Sequence, residues 1–111
     1  AVQAEKNIIQ LALYVATIKA GGVYLPLNSG YTLNELEYFF DDAKPKVIVV
    51  DDKIQSKIDS ITGASSASIL TLNFDESGSL TERIKNCSTK FHAIARSEND
   101  LAAILYTSGS T

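Results

Sequence analysis

Residues 107–111 read Thr-Ser-Gly-Ser-Thr. Hydroxyls around a glycine are suited to gripping an anion. Gly109 permits a tight path in which successive backbone N–H groups turn toward one centre. Thr107, Ser108, Ser110 and Thr111 add O–H donors for phosphate oxygens, and the lack of bulk lets a nucleotide approach the backbone. The same composition also describes a plain flexible Ser/Gly loop, so the residues by themselves leave both readings open. This is not a Walker A loop, which needs GxxxxGK[ST].

The other reactive residue types read as structural. Asp51-Asp52 ends an apolar run, where adjacent carboxylates serve a metal, a general base, or a turn with a helix N-cap; the turn and cap is the reading adopted. His92 has no Cys, His or acidic partner at ligand spacing, and Cys87 has no histidine motif to make it a nucleophile. No residue is assigned as catalytic and none as a metal ligand.

A loop that binds phosphate must be held by something rigid. Leu101–Tyr106, Leu-Ala-Ala-Ile-Leu-Tyr, reads as a buried strand running straight into Thr107. Upstream, Glu5–Ala20 reads as a helix apolar almost all round, hence buried on most sides, and stopped by Gly21-Gly22. Val23–Leu27 reads as a short strand that Pro26 places at an edge or brings to an end. Thr32 and Glu35 have capping-box spacing for a helix over Leu33–Asp42, closed by Lys44-Pro45.

Val47–Val50 is a β-branched run typical of a strand buried on both faces. A helix over Lys53–Ile61, a loop over Gly63–Ser68, a strand over Ile69–Leu72 and a short helix over Leu80–Asn86 with Leu80 and Ile84 inward follow. Cys87–Asn99 lacks periodicity and is expected to cross the surface. Strands alternating with helices predict an α/β fold: a mostly parallel sheet built from right-handed βαβ units. In such sheets ligands bind beyond the carboxyl ends of the strands, which is where Thr107–Thr111 lies.

With 111 residues the chain has the length of one small domain, and 45% apolar residues suffice for a core. A net charge of −3 without a basic stripe argues against nucleic-acid binding. The longest apolar stretch, Ile8–Ile18, is too short for a bilayer, which takes roughly 20 residues. A single cysteine favours a reducing compartment.

The terminal stretch, Asp100 through Thr111, closely resembles the phosphate-binding signature of the adenylate-forming (AMP-binding) superfamily of acyl-CoA synthetases, luciferases and peptide-synthetase adenylation domains. A second match is Ala20-Gly-Gly-Val-Tyr-Leu-Pro-Leu-Asn28, followed by Tyr31-Thr-Leu-Asn-Glu-Leu-Glu-Tyr38 and Lys44-Pro45-Lys46. That wording looks most like the malonyl-CoA and methylmalonyl-CoA synthetase branch; peptide-synthetase domains more often carry an acidic residue where this chain has Asn28.

The resemblance implies that residues 1–111 are part of a large N-terminal domain, cut within the phosphate-binding loop. It also implies a two-step reaction: a carboxylate attacks the α-phosphate of ATP, then coenzyme A displaces AMP to give a thioester. Thr107, Ser108, Gly109, Ser110 and Thr111 would hold the β- and γ-phosphates, with Mg2+ neutralising charge. The acid would be malonate or a related short one, and the location cytoplasmic, or the mitochondrial matrix in a eukaryote. The alternative is a non-catalytic α/β binding or scaffold module that keeps only the fold.

Overall fold

The computed structural model of the chain describes residues 1–107. Its sheet has three parallel strands in the order β1-β2-β3, with β1 at Val2–Gln3, β2 at Val47–Val50 and β3 at Ser68–Thr71. Val2 lies opposite Val49, and Val47 to Val50 lie opposite Ser68 to Thr71.

Two extended segments prolong the sheet beyond β1. Val2 N–H donates to Leu25 C=O and Leu27 N–H donates to Val2 C=O, both at 2.8 Å. Tyr24 N–H donates to Ala102 C=O at 2.9 Å, and Ile104 N–H donates back to Tyr24 C=O at 3.0 Å. Each contact is a single parallel bridge, Val2 to Pro26 and Tyr24 to Ala103, so neither segment becomes a regular strand. Pro26 accounts for the stop. The next rung toward Ile104 needs an N–H at position 26, and proline has none. The proline expectation holds, while Val23–Leu27 and Leu101–Tyr106 are ladder segments and not the full strands that the sequence suggests.

Helices α1 (Ile8–Lys19), α2 (Leu33–Ala43), α3 (Asp52–Asp59) and α4 (Ser79–Ile84) flank the sheet. Asn7 caps α1 by accepting from Gln10 N–H. Thr32 and Glu35 form the reciprocal capping box of α2, and Lys44 ends that helix in the left-handed region at φ 49°. Asp51 caps α3 by accepting from Lys53 N–H, the role chosen for it over a metal or base. The helix expected to Ile61 ends two residues sooner, and a 3-10 turn at Thr62–Ala64 occupies part of the expected loop.

Strand alternation sorts the core into two layers. Leu25, Leu27, Ile48 and Val50 face α2 and α3, where Leu36, Phe39, Phe40 and Ile58 complete one cluster. Val2, Tyr24, Val49 and Leu72 face the opposite way, toward Leu80 of α4 and Ile9 and Leu13 of α1. Sequestering a side chain such as Phe40 or Leu36 stabilises the fold by about 1.5–3 kcal/mol. This is the expected α/β arrangement.

Three burial expectations are corrected. Helix α1 has no buried residue; Ile8, Leu11 and Val15 are 64%, 60% and 56% exposed. An apolar circumference promises burial only if layers exist on both sides, and among the described residues the sheet covers one side. Leu101–Tyr106 is likewise no buried strand: Leu101 and Leu105 are exposed, because the segment pairs along one edge only. Leu80 points inward as expected, but Ile84 is half exposed because α4 stops there. The surface crossing is borne out, with every residue from 88 to 100 exposed. No helix among the described residues is long and apolar enough to cross a membrane.

Candidate functional site

Strand polarity brings Gln3, Leu27, Val50, Thr71 and Tyr106 to the same end of the sheet, the carboxyl end. Of the predicted phosphate-binding residues, Thr107 is described: it is exposed and follows Tyr106 directly at that end. Ser108, Gly109, Ser110 and Thr111 lie outside the described residues.

The chain just before Thr107 is tied down by side-chain contacts that the sequence reading did not predict. Tyr106 stacks on Phe39 of α2 with ring centroids 4.4 Å apart and 31° between planes. Tyr38 meets it edge-on at 6.4 Å. Its hydroxyl donates to Asp42 Oδ2 at 2.5 Å. Loss of solvent around the phenol, and then the hydrogen bond and negative charge of Asp42, push its pKa up to about 12, so it stays a neutral donor. Tyr31 continues the aromatic row, 4.9 Å from Phe39. The signal was present in Tyr31, Tyr38 and Phe39 at helical spacing around the capping box, but nothing local tied them to residue 106.

Beside this row, buried Gln3 donates from Nε2 to Asn28 C=O at 2.8 Å and to Tyr31 C=O at 3.3 Å. An amide at the end of a two-residue strand thus fixes the turn that leads into α2. The adjacent carboxylates are used locally as well. Asp52 accepts at Oδ2 from Asn73 Nδ2 at 3.0 Å, its N–H donates to Asn73 Oδ1 at 3.0 Å, and Asn7 Nδ2 donates to Asn73 C=O at 3.0 Å. These bonds join α1, α3 and the turn after β3.

His92 and Cys87 are exposed, and the Cys87 thiol donates to Arg83 C=O at 3.4 Å. No group of three or more His, Cys, Asp or Glu side chains converges among the described residues. Among the described residues no ligand set for Mg2+ converges, and no chemistry is assigned to it. What the arrangement offers chemically is positioning: a hydroxyl-bearing exit from a sheet, braced by an aromatic row.

The fold as a whole superposes on solved structures of other proteins. ATP-bound MatB from Rhodopseudomonas palustris superposes with a TM-score of 0.94 at 50% identity, over 99% of this chain and 22% of that one. The N-terminal domain of FACL13 from Mycobacterium tuberculosis gives a TM-score of 0.79 at 22% identity, over 96% of this chain and 27% of that one, which is a likeness of fold. Tyrocidine synthase 2 of Brevibacillus parabrevis is 28% identical over 96% of this chain. The chain spans only 3% of that synthase and about a fifth of MatB. The family model for AMP-binding enzymes matches residues 1–111, and the chain belongs to that family.

Proposed function

We propose that this chain forms the phosphate-gripping part of an acyl-CoA synthetase that activates malonate or a related short acid. In this reading Thr107, Ser108, Gly109, Ser110 and Thr111 hold the β- and γ-phosphates of ATP while a carboxylate attacks the α-phosphate. Their contribution is electrostatic: donors fixed in advance lower the cost of gathering negative charge. Coenzyme A then takes the acyl group from the adenylate. No residue of this chain is assigned to either bond-making step.

The observation that carries the reading is the extent of the likeness to ATP-bound MatB, which is 50% identical along 99% of the chain. Tyrocidine synthase 2 is much more distant at 28%, and by the resemblance noted above Asn28 stands where peptide-synthetase domains more often carry an acid. Both favour the acyl-CoA branch.

The test is acid-dependent ATP–pyrophosphate exchange by the full-length protein that contains these residues. Malonate or methylmalonate should support exchange at least about tenfold better in kcat/KM than acetate or a medium-chain acid, a margin of roughly 1.4 kcal/mol. Exchange driven by an amino acid instead, with none from dicarboxylates, would refute the proposed substrate class. We place the protein in the cytoplasm or mitochondrial matrix, which fractionation of the source cells checks directly.

A further inference from the structure

We propose that Arg96 is the latch of a surface strap: its bond to Gly21 holds residues 88–100 on the C-terminal end of α1 and so sets where the edge segment meets Tyr24. The inference stands on geometry and does not depend on the ATP reading.

A helix leaves its last carbonyls without partners of its own. At the end of α1 the adjoining chain supplies the first of them. Gly22 N–H donates to Thr17 C=O at 2.9 Å and Gly21 N–H to Ile18 C=O at 3.0 Å, a Schellman arrangement with Gly21 at φ 77°. The strap meets the next acceptors. Ile94 N–H donates to Lys19 C=O at 2.9 Å. Arg96, 75 residues beyond Gly21, donates to its C=O through both Nε at 3.0 Å and Nη2 at 2.5 Å. Among the described residues no carboxylate forms an ion pair with Arg96, so its charge serves the negative end of the helix dipole. Every residue from 88 to 100 is exposed, so hydrogen bonds, more than burial, hold the strap. The fit is close: a Cβ on Gly21 would lie 3.0 Å from both Arg96 Nε and Ile94 Cγ2.

The latch lies next to the joint between Tyr24 and Ala103. Gly21 leads to Tyr24 along one side, and Arg96 leads to Ala102 along the other. The second side is longer, and a turn takes up the excess: Asp100 N–H donates to Ser97 C=O at 3.1 Å, and Ser97 N–H donates to Asp100 Oδ2 at 2.9 Å. Two tethers thus close a small ring. The run Leu101-Ala-Ala-Ile-Leu105 has no alternation that would fix its own register. Ring closure does fix it, because a short loop closes at a lower entropy cost than a long one. Opening the latch lengthens the loop and loosens the joint.

Hydrogen exchange of the full-length protein, read residue by residue, tests this at three amides: Ile94, Tyr24, which donates to Ala102, and Ile104, which donates to Tyr24. Leu72, whose N–H donates to Val50 C=O, is the core reference. Arg96→Ala should speed exchange at all three by about tenfold, since a bond from a charged donor is lost. Leu72 should stay within about twofold and the melting temperature within about 2 °C. Arg96→Lys keeps the charge without the fork of donors and should fall between wild type and Arg96→Ala. Lys90→Ala, on the same strap, should leave all four amides within about twofold.

Unchanged exchange at Ile94 in Arg96→Ala would overturn the latch. Acceleration at Ile94 with none at Tyr24 and Ile104 would overturn its link to the joint. Equal acceleration at all four amides with a lower melting temperature would make Arg96 a general stabiliser, and a Lys90→Ala effect as large as that of Arg96→Ala would trace it to the strap's charge at large; either result defeats the inference.

Discussion

Tyr24 and Ala103 face one another across a parallel bridge, with Tyr24 bonded to Ala102 on one side and Ile104 on the other. Most of the chain runs between them, yet this is the joint that brings Thr107 to the carboxyl end of the sheet. Because two backbone bonds make this bridge, the loss of one should open it. Ile104→Pro removes the N–H that donates to Tyr24 C=O and should lower pyrophosphate exchange by the full-length protein at least about a hundredfold, while Ile104→Val leaves it within about threefold. Comparable activity in the two variants would mean that the joint does not position the site.

That joint also marks how far the sequence could be read. The capping box at Thr32 and Glu35, the Asp51 cap and the β-branched run of β2 were legible because each is set by near neighbours. Strand β1 was not: two residues give no period, and the buried amide of Gln3 looks like a surface residue until Asn28 and Tyr31 are seen to satisfy it. The Thr107–Thr111 stretch was legible as anion-friendly by composition, and the place of Thr107 at the carboxyl end followed from strand polarity. The brace on Tyr106 was invisible, since Asp42 and Phe39 come from a distant helix. Burial of α1 was overread for a related reason. Pattern reports how apolar a surface is, and only the tertiary layers decide whether anything covers it.

The uncovered apolar surface has a consequence for the 111 residues produced alone. Ile8, Leu11 and Val15 on α1 and Leu101 and Leu105 on the edge segment form exposed apolar side chains on adjoining elements. We expect the isolated chain to self-associate and to bind a hydrophobic dye such as ANS, and Leu11→Glu with Val15→Lys to reduce both effects severalfold. Sedimentation of the two forms side by side checks it. A monodisperse, dye-silent wild-type chain would show that this surface is harmless.

Gly78 illustrates a strict steric demand. Its φ is 132°, and a Cβ there would lie 2.3 Å from the Thr71 carbonyl oxygen. That oxygen belongs to the last residue of β3, so nothing near it can yield cheaply. Gly78→Ala should cost more than about 3 kcal/mol in denaturant unfolding of the full-length protein. Gly30→Ala is the control: its Cβ would meet the Asn28 side-chain oxygen at 3.2 Å, which can turn aside, and the loss should stay under about 1 kcal/mol. Equal costs at the two positions would contradict the backbone clash as the cause.

The Tyr106 phenol should register in the alkaline limb of stability. Burial first, then the Asp42 hydrogen bond and charge, with Tyr38 adding to them, raise its pKa from 10.0 to about 12. The native state therefore holds this proton more tightly than the unfolded chain does. The stability that this supplies is complete below pH 10 and is lost as pH rises from 10 toward 12. Tyr24 is shifted in the same direction, with desolvation as its largest cause, so the wild-type curve alone does not isolate Tyr106. The difference between wild type and Tyr106→Phe does, because Tyr24 is common to both. That difference, read from denaturant midpoints of the full-length protein, should be largest below pH 10 and should shrink steadily toward pH 12. Asp42→Ala should move the shrinkage to lower pH, since it removes the carboxylate that disfavours the phenolate. A wild-type to Tyr106→Phe difference that stays constant across this range would mean that the hydroxyl is not held by Asp42 in solution.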